Sequence, residues 1–207
     1  MLTLSDYRRA FQIMHGILLS EDATPEKACL FFAMAGAKIM SSHYKIEAIP
    51  VAGCAFFMVE EASASVLSYA ELNAEGARST SNAFHAWVQC GDWGIDFMAP
   101  LFPDAAARAG LRGRTPRHMF QRQLTEMASS HLSLQHAGDF FLAPNPELTI
   151  ELVGKLRRKP ANEDLENIAC QWFKKVPKKI PIHMPVSDAR GKIKRVTIGK
   201  VPVEGAW

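Results

Sequence analysis

Hydrophobic residues occupy positions 28–40 with one charged exception, Lys38. A helix that is apolar on nearly every face is typical of the centre of a domain, and this one is too short to span a bilayer. Thr24 and Pro25 precede it and suit an N-cap and a first helical residue. The pattern therefore predicts a central buried helix that begins at Pro25 and carries Cys29 near its start.

Two shorter segments alternate between the faces of a predicted hairpin, residues 84–90 and 93–98, separated by Gly91-Asp92. A two-residue turn of this type predicts a tight hairpin with Cys90 opposite Trp93. One face then holds Phe84, Ala86, Val88, Cys90, Trp93, Ile95 and Phe97, and the other holds His85, Trp87, Gln89, Gly94, Asp96 and Met98. The first face is entirely apolar, and a slip of one residue would destroy this separation.

In this register, His85 and Asp96 are diagonal neighbours on the same face. Such pairs lie about 7–8 Å apart, within reach of longer side chains. We expect the Asp96 carboxylate to accept the Nδ1 proton of His85 and to hold the imidazole in one tautomer. The alternative is a half-exposed sheet face that carries two unrelated polar residues.

The remaining pattern predicts an α+β domain that comprises residues 1–207, with a core over about 1–100 and a helical, basic part over about 101–207. Helices are predicted from a Ser5 cap to residue 18, over 104–110, over 119–130, from Asn145 to 158, and from an Asn162 cap to 175. Strands are predicted within 47–60 and 66–70, a loop over 73–82, and a terminal strand pair within 192–203.

Composition narrows the class of protein. The chain has 207 residues, of which 48% are hydrophobic and 22% charged, as in one ordinary domain. The amino-terminal residues lack the pattern of a signal peptide. The four cysteines, at positions 29, 54, 90 and 170, contain no C-x-x-C pair, so we expect reduced thiols in a cytoplasmic protein. His118, His131 and His136 match no metal-ligand spacing, so no metal is expected.

Charge is unevenly distributed along the chain. Residues 1–150 contain 11 Lys and Arg against 15 Asp and Glu, whereas residues 151–200 contain 13 against 5. A basic segment can contact an acidic partner or nucleic acid. Charge patterning alone favours a solvated face over a nucleic-acid site, and no membrane association is expected.

A cysteine at a helix start, then His85-Ala86-Trp87-Val88 on a strand, then Asp96 on the next strand resembles the transglutaminase-like and papain-like cysteine enzyme superfamily. The resemblance covers residues 24–100, and the whole chain is also similar to a small bacterial family of uncharacterised proteins in that superfamily. Two features depart from the pattern. Cys29 lacks the Gly-x-Cys-Trp surroundings of papain, and 56 residues separate it from His85.

The resemblance implies a papain-like or transglutaminase-like core, in which the helix that carries the cysteine packs on an antiparallel sheet. It implies Cys29 as nucleophile, His85 as general base and acid, and Asp96 as the residue that orients His85. The backbone N–H of Cys29 would be one oxyanion donor, the second being unidentified. Trp87 and Met98 are expected to line the substrate cleft, and no cofactor is implied.

Three functions are compatible with these residues. A thioester formed on Cys29 and resolved by water gives a peptidase or amidase, acting on a peptide, protein or small amide. Resolution of the same thioester by an amine gives a transglutaminase-like acyl transfer. The third alternative is an inactive binding module of the same fold that uses its basic carboxy-terminal part, since fold alone does not fix function.

Overall fold

A curled antiparallel sheet and the helices packed on it form an α+β fold in this computed structural model, which describes residues 1–111, 115–173, 181–187 and 190–207. The helices are α1 (Leu4–Ser20), α2 (Cys29–Ile39), α3 (Phe102–Arg108), α4 (Pro146–Arg157) and α5 (Pro160–Trp172). The strands are β1 (Ile49–Glu60), β2 (Ser65–Tyr69), β3 (Glu71–Asn73), β4 (Gly76–Arg78), β5 (His85–Cys90), β6 (Trp93–Asp96), β7 (Phe120–Gln123), β8 (Phe140–Pro144), β9 (His183–Ser187) and β10 (Ile193–Thr197).

The long strand β1 organises the sheet. Its first half pairs with β5, its second half with β2, and residues 53–57 pair with β8. Both faces of β1 are buried. Ala55, Phe57 and Val59 belong to the main core, whereas Cys54, Phe56 and Met58 form a second cluster with Leu134. A strand covered on both faces reads as a continuous apolar run, which explains its sequence.

The predicted hairpin register is confirmed. Cys90 lies opposite Trp93 and Val88 opposite Ile95, across a turn in which Gly91 has a φ of 55°. Gly91 suits this left-handed conformation because it has no Cβ. β7 adds to the other edge of β6 and extends the hairpin into the full sheet.

Helix α2 packs against β5 and β1. Gly36 permits this close approach, because a Cβ at this position would lie 3.0 Å from Val88 Cγ2 and closer still to the Phe97 ring. The apolar face of the hairpin therefore meets the centre of α2, and His85 lies towards the end of the sheet where α2 begins.

The central helix begins later than predicted. Residues 25–27 form a single 3₁₀ turn, for which Thr24 supplies no side-chain cap, and α2 begins at Cys29. Proline at position 25 starts a turn that does not continue into the helix, since Ala28 lies outside helical geometry at φ −107° and ψ 31°. Cys29 is consequently the first helical residue.

The predicted helix over 119–130 is wrong. This segment contains β7, followed by a 3₁₀ turn at Leu124–Glu126, and the later strand β8 was also missed. The Gln, Arg and Leu residues within 119–130 favour a helix locally. Pairing with β6 nevertheless satisfies the backbone of residues 120–123, so tertiary context overrides propensity.

Other differences concern boundaries. Asn145 caps α4 as predicted, with Oδ1 accepting from Leu148 N at 3.0 Å, whereas α5 begins at Pro160 and not after Asn162. The predicted end of that helix at 175 lies outside the described residues. The terminal pair is β9 with β10, and β3–β4 form a small hairpin within the predicted loop.

The division at about residue 100 is not a structural boundary. β7 and β8 join the same sheet as β1, and α5 packs on α2. No helix in the described part of the chain is both long and apolar enough to cross a membrane.

Candidate active site

Cys29 lies at the amino-terminal end of α2, where the helix dipole favours an anion. Ala28 offers no side-chain cap, and the first N–H groups of a helix have no partner within it. Cys29 is 6% exposed, so only a narrow edge of it reaches the surface. A thiol placed here has the surroundings of a nucleophile and a backbone N–H beside it.

His85 and Asp96 form a hydrogen bond between β5 and β6. His85 Nε2 lies 2.5 Å from Asp96 Oδ2, and the two side chains are 0% and 1% exposed. Because a carboxylate only accepts hydrogen bonds, Nε2 carries the donated proton. The predicted contact is present, but the prediction of Nδ1 as the donor is wrong. The imidazole reaches Asp96 on the neighbouring strand through Nε2, because this ring nitrogen lies farther from Cβ than Nδ1 does.

The other ring nitrogen of His85 is left for Cys29. Nδ1 is buried and forms no hydrogen bond with any of the residues described. Cys29 nevertheless contributes to the pKa of this ring, which it raises through its side chain and its charge, and catalytic hydrogen bonds are often long in enzymes without substrate. Burial lowers the pKa of His85, but the charge and hydrogen bond of Asp96, assisted by Cys29, outweigh burial and raise that pKa above 6.5.

Asp96 is fixed at three of its oxygen atoms. Oδ1 accepts from Met98 N at 2.8 Å, Oδ2 accepts from His85, and the backbone carbonyl accepts from the Tyr7 hydroxyl. Burial, assisted by the Asp96 charge, raises the pKa of Tyr7 well above 10, so Tyr7 remains a donor. Sequence analysis does not link Tyr7 to the site, because its partner lies 89 residues away and no local pattern connects them.

Aromatic rings enclose the imidazole. Tyr69 stacks on His85 at 4.4 Å between ring centroids, and the rings of Phe57 and Phe102 lie at 5.8 Å and 5.9 Å. Phe102 is the first residue of α3, so this short helix closes one side of the site.

Arg117 holds α3 in place. Its guanidinium donates to the Pro100 carbonyl at 2.7 Å and to both carboxylate oxygens of Asp104 at 2.7 Å and 3.0 Å. A second ion pair joins Arg108 of α3 to Glu26, in the turn that precedes Cys29. The helix that covers His85 is therefore tied to the rest of the molecule by two arginines.

The expected cleft residues are not on an open surface. Trp87 is 1% exposed and Met98 is 0% exposed, so both are core residues. The alternative of a half-exposed sheet face is wrong, because residues outside the hairpin cover the face that carries Trp87 and Met98. The side chain of Gln12, on α1, donates to the Val201 carbonyl at 3.2 Å. All four cysteines are free.

Among the residues that the structure describes, no group of three or more His, Cys, Asp or Glu side chains is placed to hold a metal ion.

Comparison with known proteins identifies the family but not the reaction. A solved crystal structure, that of genomics APC5867, matches all of this chain and 97% of its own, with 32% sequence identity and a TM-score of 0.87. No curated protein matches. The model of the family described as "Protein of unknown function (DUF2026)" matches residues 3–207. The chain therefore belongs to the DUF2026 family.

Proposed function

We propose that the protein is a cysteine-dependent acyl hydrolase, acting on an amide bond of a peptide, a protein or a small molecule. Cys29 is the nucleophile, His85 the general base and acid, and Asp96 the residue that orients His85. The observation that carries the proposal is the buried 2.5 Å hydrogen bond between His85 and Asp96, with Cys29 interacting with the same imidazole at a helix start.

The proposal includes a relationship to the transglutaminase-like and papain-like superfamily. It is supported by the chain order of Cys29, His85 and Asp96 and by the packing of α2 on β5 and β1. The DUF2026 family has no known reaction, so the case for enzymatic activity depends on the geometry of these three side chains.

In the first half of the reaction, the Cys29 sulfur attacks the carbonyl carbon of the substrate. An S–C bond forms, and the C=O electron pair moves to the oxygen, where the Cys29 backbone N–H can donate to it. The C–N bond then breaks, and the leaving amine takes the His85 Nδ1 proton. A thioester and a neutral imidazole remain.

In the second half, water attacks the thioester and His85 accepts its proton. The S–C bond breaks, the acid leaves, and the proton on His85 restores the starting pair of thiolate and imidazolium. An amine in place of water gives acyl transfer by the same steps. Asp96 holds the ring in one orientation throughout, since its Oδ2 stays bonded to Nε2.

The test is the rate at which iodoacetamide alkylates each cysteine, measured by peptide mass spectrometry. Cys170 is the internal standard, because it is more exposed than Cys29. We expect Cys29 to react faster than Cys170 at pH 6.5, despite its greater burial. An ordinary thiol slows about tenfold for each pH unit below about 8.5. Cys29 is expected to be the fastest of the four thiols at pH 6.5, because a charged His85 ring stabilises a neighbouring thiolate.

Two histidine variants provide the matched comparison. His85→Gln is expected to slow alkylation of Cys29 by about tenfold or more at pH 6.5, since the imidazolium is lost. His43→Gln, in the π-helical turn Met40–Tyr44 that follows the other end of α2, should leave the rate unchanged. Circular dichroism checks that both variants fold. Slow alkylation of Cys29 in the wild type, unaffected by His85→Gln, would support an inactive binding module instead.

A further inference from the structure

The Tyr69 hydroxyl is a buried polar group without a hydrogen-bond partner among the residues described. An unsatisfied buried hydroxyl costs about 1–3 kcal/mol, so its retention in a core calls for an explanation. Tyr69 is the last residue of β2, and its ring stacks on the His85 ring with an angle of 29° between the planes. The unpartnered hydroxyl is therefore on a residue in direct contact with the proposed general base.

The sheet and the aromatic cluster fix the position of Tyr69. Its backbone pairs with Ala55 of β1, and β1 also pairs with His85 through Gly53. The Phe57 ring lies edge-on to both Tyr69 and His85, at 6.4 Å and 5.8 Å. A hydroxyl on such a rigid support does not need to reorganise when a charge forms near it, which is the property of an oxyanion donor.

The electrostatic surroundings keep this hydroxyl protonated. Burial raises the pKa of Tyr69 well above 10, and the charges of Asp96 and Cys29 raise it further. The geometric link to the site is the stacking of the Tyr69 ring on His85, the proposed partner of Cys29. The hydroxyl is thus a donor, near the nucleophile, with no acceptor in the described part of the resting protein.

We propose that the Tyr69 O–H is the second oxyanion donor, acting together with the backbone N–H of Cys29. This inference rests on the proposed function. When the S–C bond forms and the C=O electron pair moves to the substrate oxygen, Tyr69 donates a hydrogen bond to that oxygen and keeps its proton. When the intermediate collapses, the pair returns to C=O and the leaving group departs. The orphaned hydroxyl thereby obtains its partner from the substrate.

Trp87 is the competing donor, because its Nε1 is also buried and unpartnered in the described residues. Tyr69 is favoured because its ring stacks on His85 and its hydroxyl is affected by the charge of Cys29. The variants Tyr69→Phe and Trp87→Phe distinguish the two donors.

The test separates two reactions of the same thiol. Alkylation by iodoacetamide displaces iodide from a saturated carbon and forms no oxyanion. Acylation by p-nitrophenyl acetate passes through a tetrahedral oxyanion, forms an S–C bond and releases p-nitrophenolate. We expect Tyr69→Phe to slow acylation by about 100-fold, as for loss of one oxyanion donor. Alkylation of Cys29 should change by less than about threefold, because thiolate and imidazolium remain intact.

Tyr44→Phe is the matched control, since it removes a hydroxyl at the far end of the central helix and should alter neither rate. Tyr69→Phe should not lower the thermal unfolding temperature, because the hydroxyl it removes makes no hydrogen bond to any of the residues that the structure describes. Equal slowing of both reactions would indicate a structural role and overturn the inference. Normal acylation in Tyr69→Phe would also overturn it, and slow acylation in Trp87→Phe would then assign the role to the indole.

Failure of the proposed function gives a different result. In that case, wild-type Cys29 reacts slowly with both reagents, and the inference fails together with the function. Fast wild-type alkylation with no difference in acylation between wild type and Tyr69→Phe rejects Tyr69 alone.

Discussion

The same kinds of residue lie at the two ends of the central helix, but they are connected differently. The amino-terminal end gathers Cys29, His85, Tyr69 and Asp96, and the carboxy-terminal end gathers Cys170, His43, Tyr44 and Glu166. Each set has a thiol, an imidazole, a phenol and a carboxylate. Only at the amino-terminal end do the imidazole and the carboxylate form a hydrogen bond.

At the carboxy-terminal end, the imidazole and the carboxylate have separate partners. His43 Nε2 bonds to the Cys170 backbone carbonyl at 2.8 Å, which does not orient the ring towards an acid. Glu166 is 1% exposed, its oxygens accept no hydrogen bond from the described residues, and its nearest cation is Arg157 at 3.3 Å. Burial raises the pKa of Glu166.

At the amino-terminal end, both Asp96 oxygens accept hydrogen bonds and the imidazole has one defined donor. The comparison teaches that a chemical site depends on how the groups are connected, and not on which residue types are present. It also supplies a control for each residue of the proposed site, because every substitution at one end has a counterpart at the other.

The largest expected effect follows from Asp96→Asn. Asp96 accepts from two buried donors, His85 Nε2 and Met98 N, and an Asn side chain has only one acceptor oxygen. Either His85 Nε2–H or Met98 N–H then faces the NH₂ group of the new side chain, and neither donor has another acceptor among the residues described. We expect a loss of about 3 kcal/mol in the free energy of unfolding, as for breaking a buried pair. Urea unfolding followed by fluorescence measures it. A loss below about 1 kcal/mol would mean that the pair is not preorganised.

A smaller effect is expected from Arg117→Met. This change releases α3 by removing three hydrogen bonds, which lie partly in solvent. A loss of about 1 kcal/mol in the local stability of α3 corresponds to about a fivefold rise in its open population. Alkylation of Cys29 at pH 6.5 should therefore accelerate about fivefold.

Arg157→Met is the control for this release, because it breaks an arginine–carboxylate pair at the opposite end of the central helix. It should leave alkylation of Cys29 unchanged. Equal acceleration in both variants would indicate global loosening, and no acceleration in Arg117→Met would mean that α3 does not limit access to the thiol.

Local pattern was sufficient for the hairpin and for the central helix. The Gly91-Asp92 turn and the separation of two faces defined the register, since both signals lie within 15 residues. This register brought His85 and Asp96 together. The start of α2 was misplaced by four residues, because Pro25 opens a 3₁₀ turn that resembles a helix start in sequence.

The features that local pattern did not predict depend on pairing between strands that are far apart in sequence. Tyr69 reaches His85 only because β2 and β5 both pair with β1, and neither partner is encoded near residue 69. The strand β7 formed where residues 119–130 favour helix, because the open edge of β6 offered backbone partners. Trp87 and Met98 were expected at a cleft, yet elements distant in sequence bury both.

The smallest effect is expected from Glu166→Gln, which keeps the shape of the side chain at the carboxy-terminal end. The raised pKa means that the folded state holds the Glu166 proton more readily than the unfolded chain does. Wild-type stability from this group is therefore lost as pH rises from about its ordinary value of 4.5 towards the raised value, and is constant above it. Gln does not titrate. The stability of Glu166→Gln relative to wild type should increase from pH 4 to 7, with a gain at pH 7 of about 1 kcal/mol or less.

Urea unfolding at pH 4, 5.5 and 7 measures this difference, and Glu163→Gln is the matched control. Glu163 pairs with the same Arg157, but its side chain is 54% exposed, so its removal should give no comparable dependence on pH. A loss of stability in Glu166→Gln that grows towards pH 7 would mean that the ion pair with Arg157 outweighs burial. The carboxy-terminal end would then hold its carboxylate charged, as the amino-terminal end does, and the contrast between the two ends would be reduced to one of hydrogen-bond geometry alone.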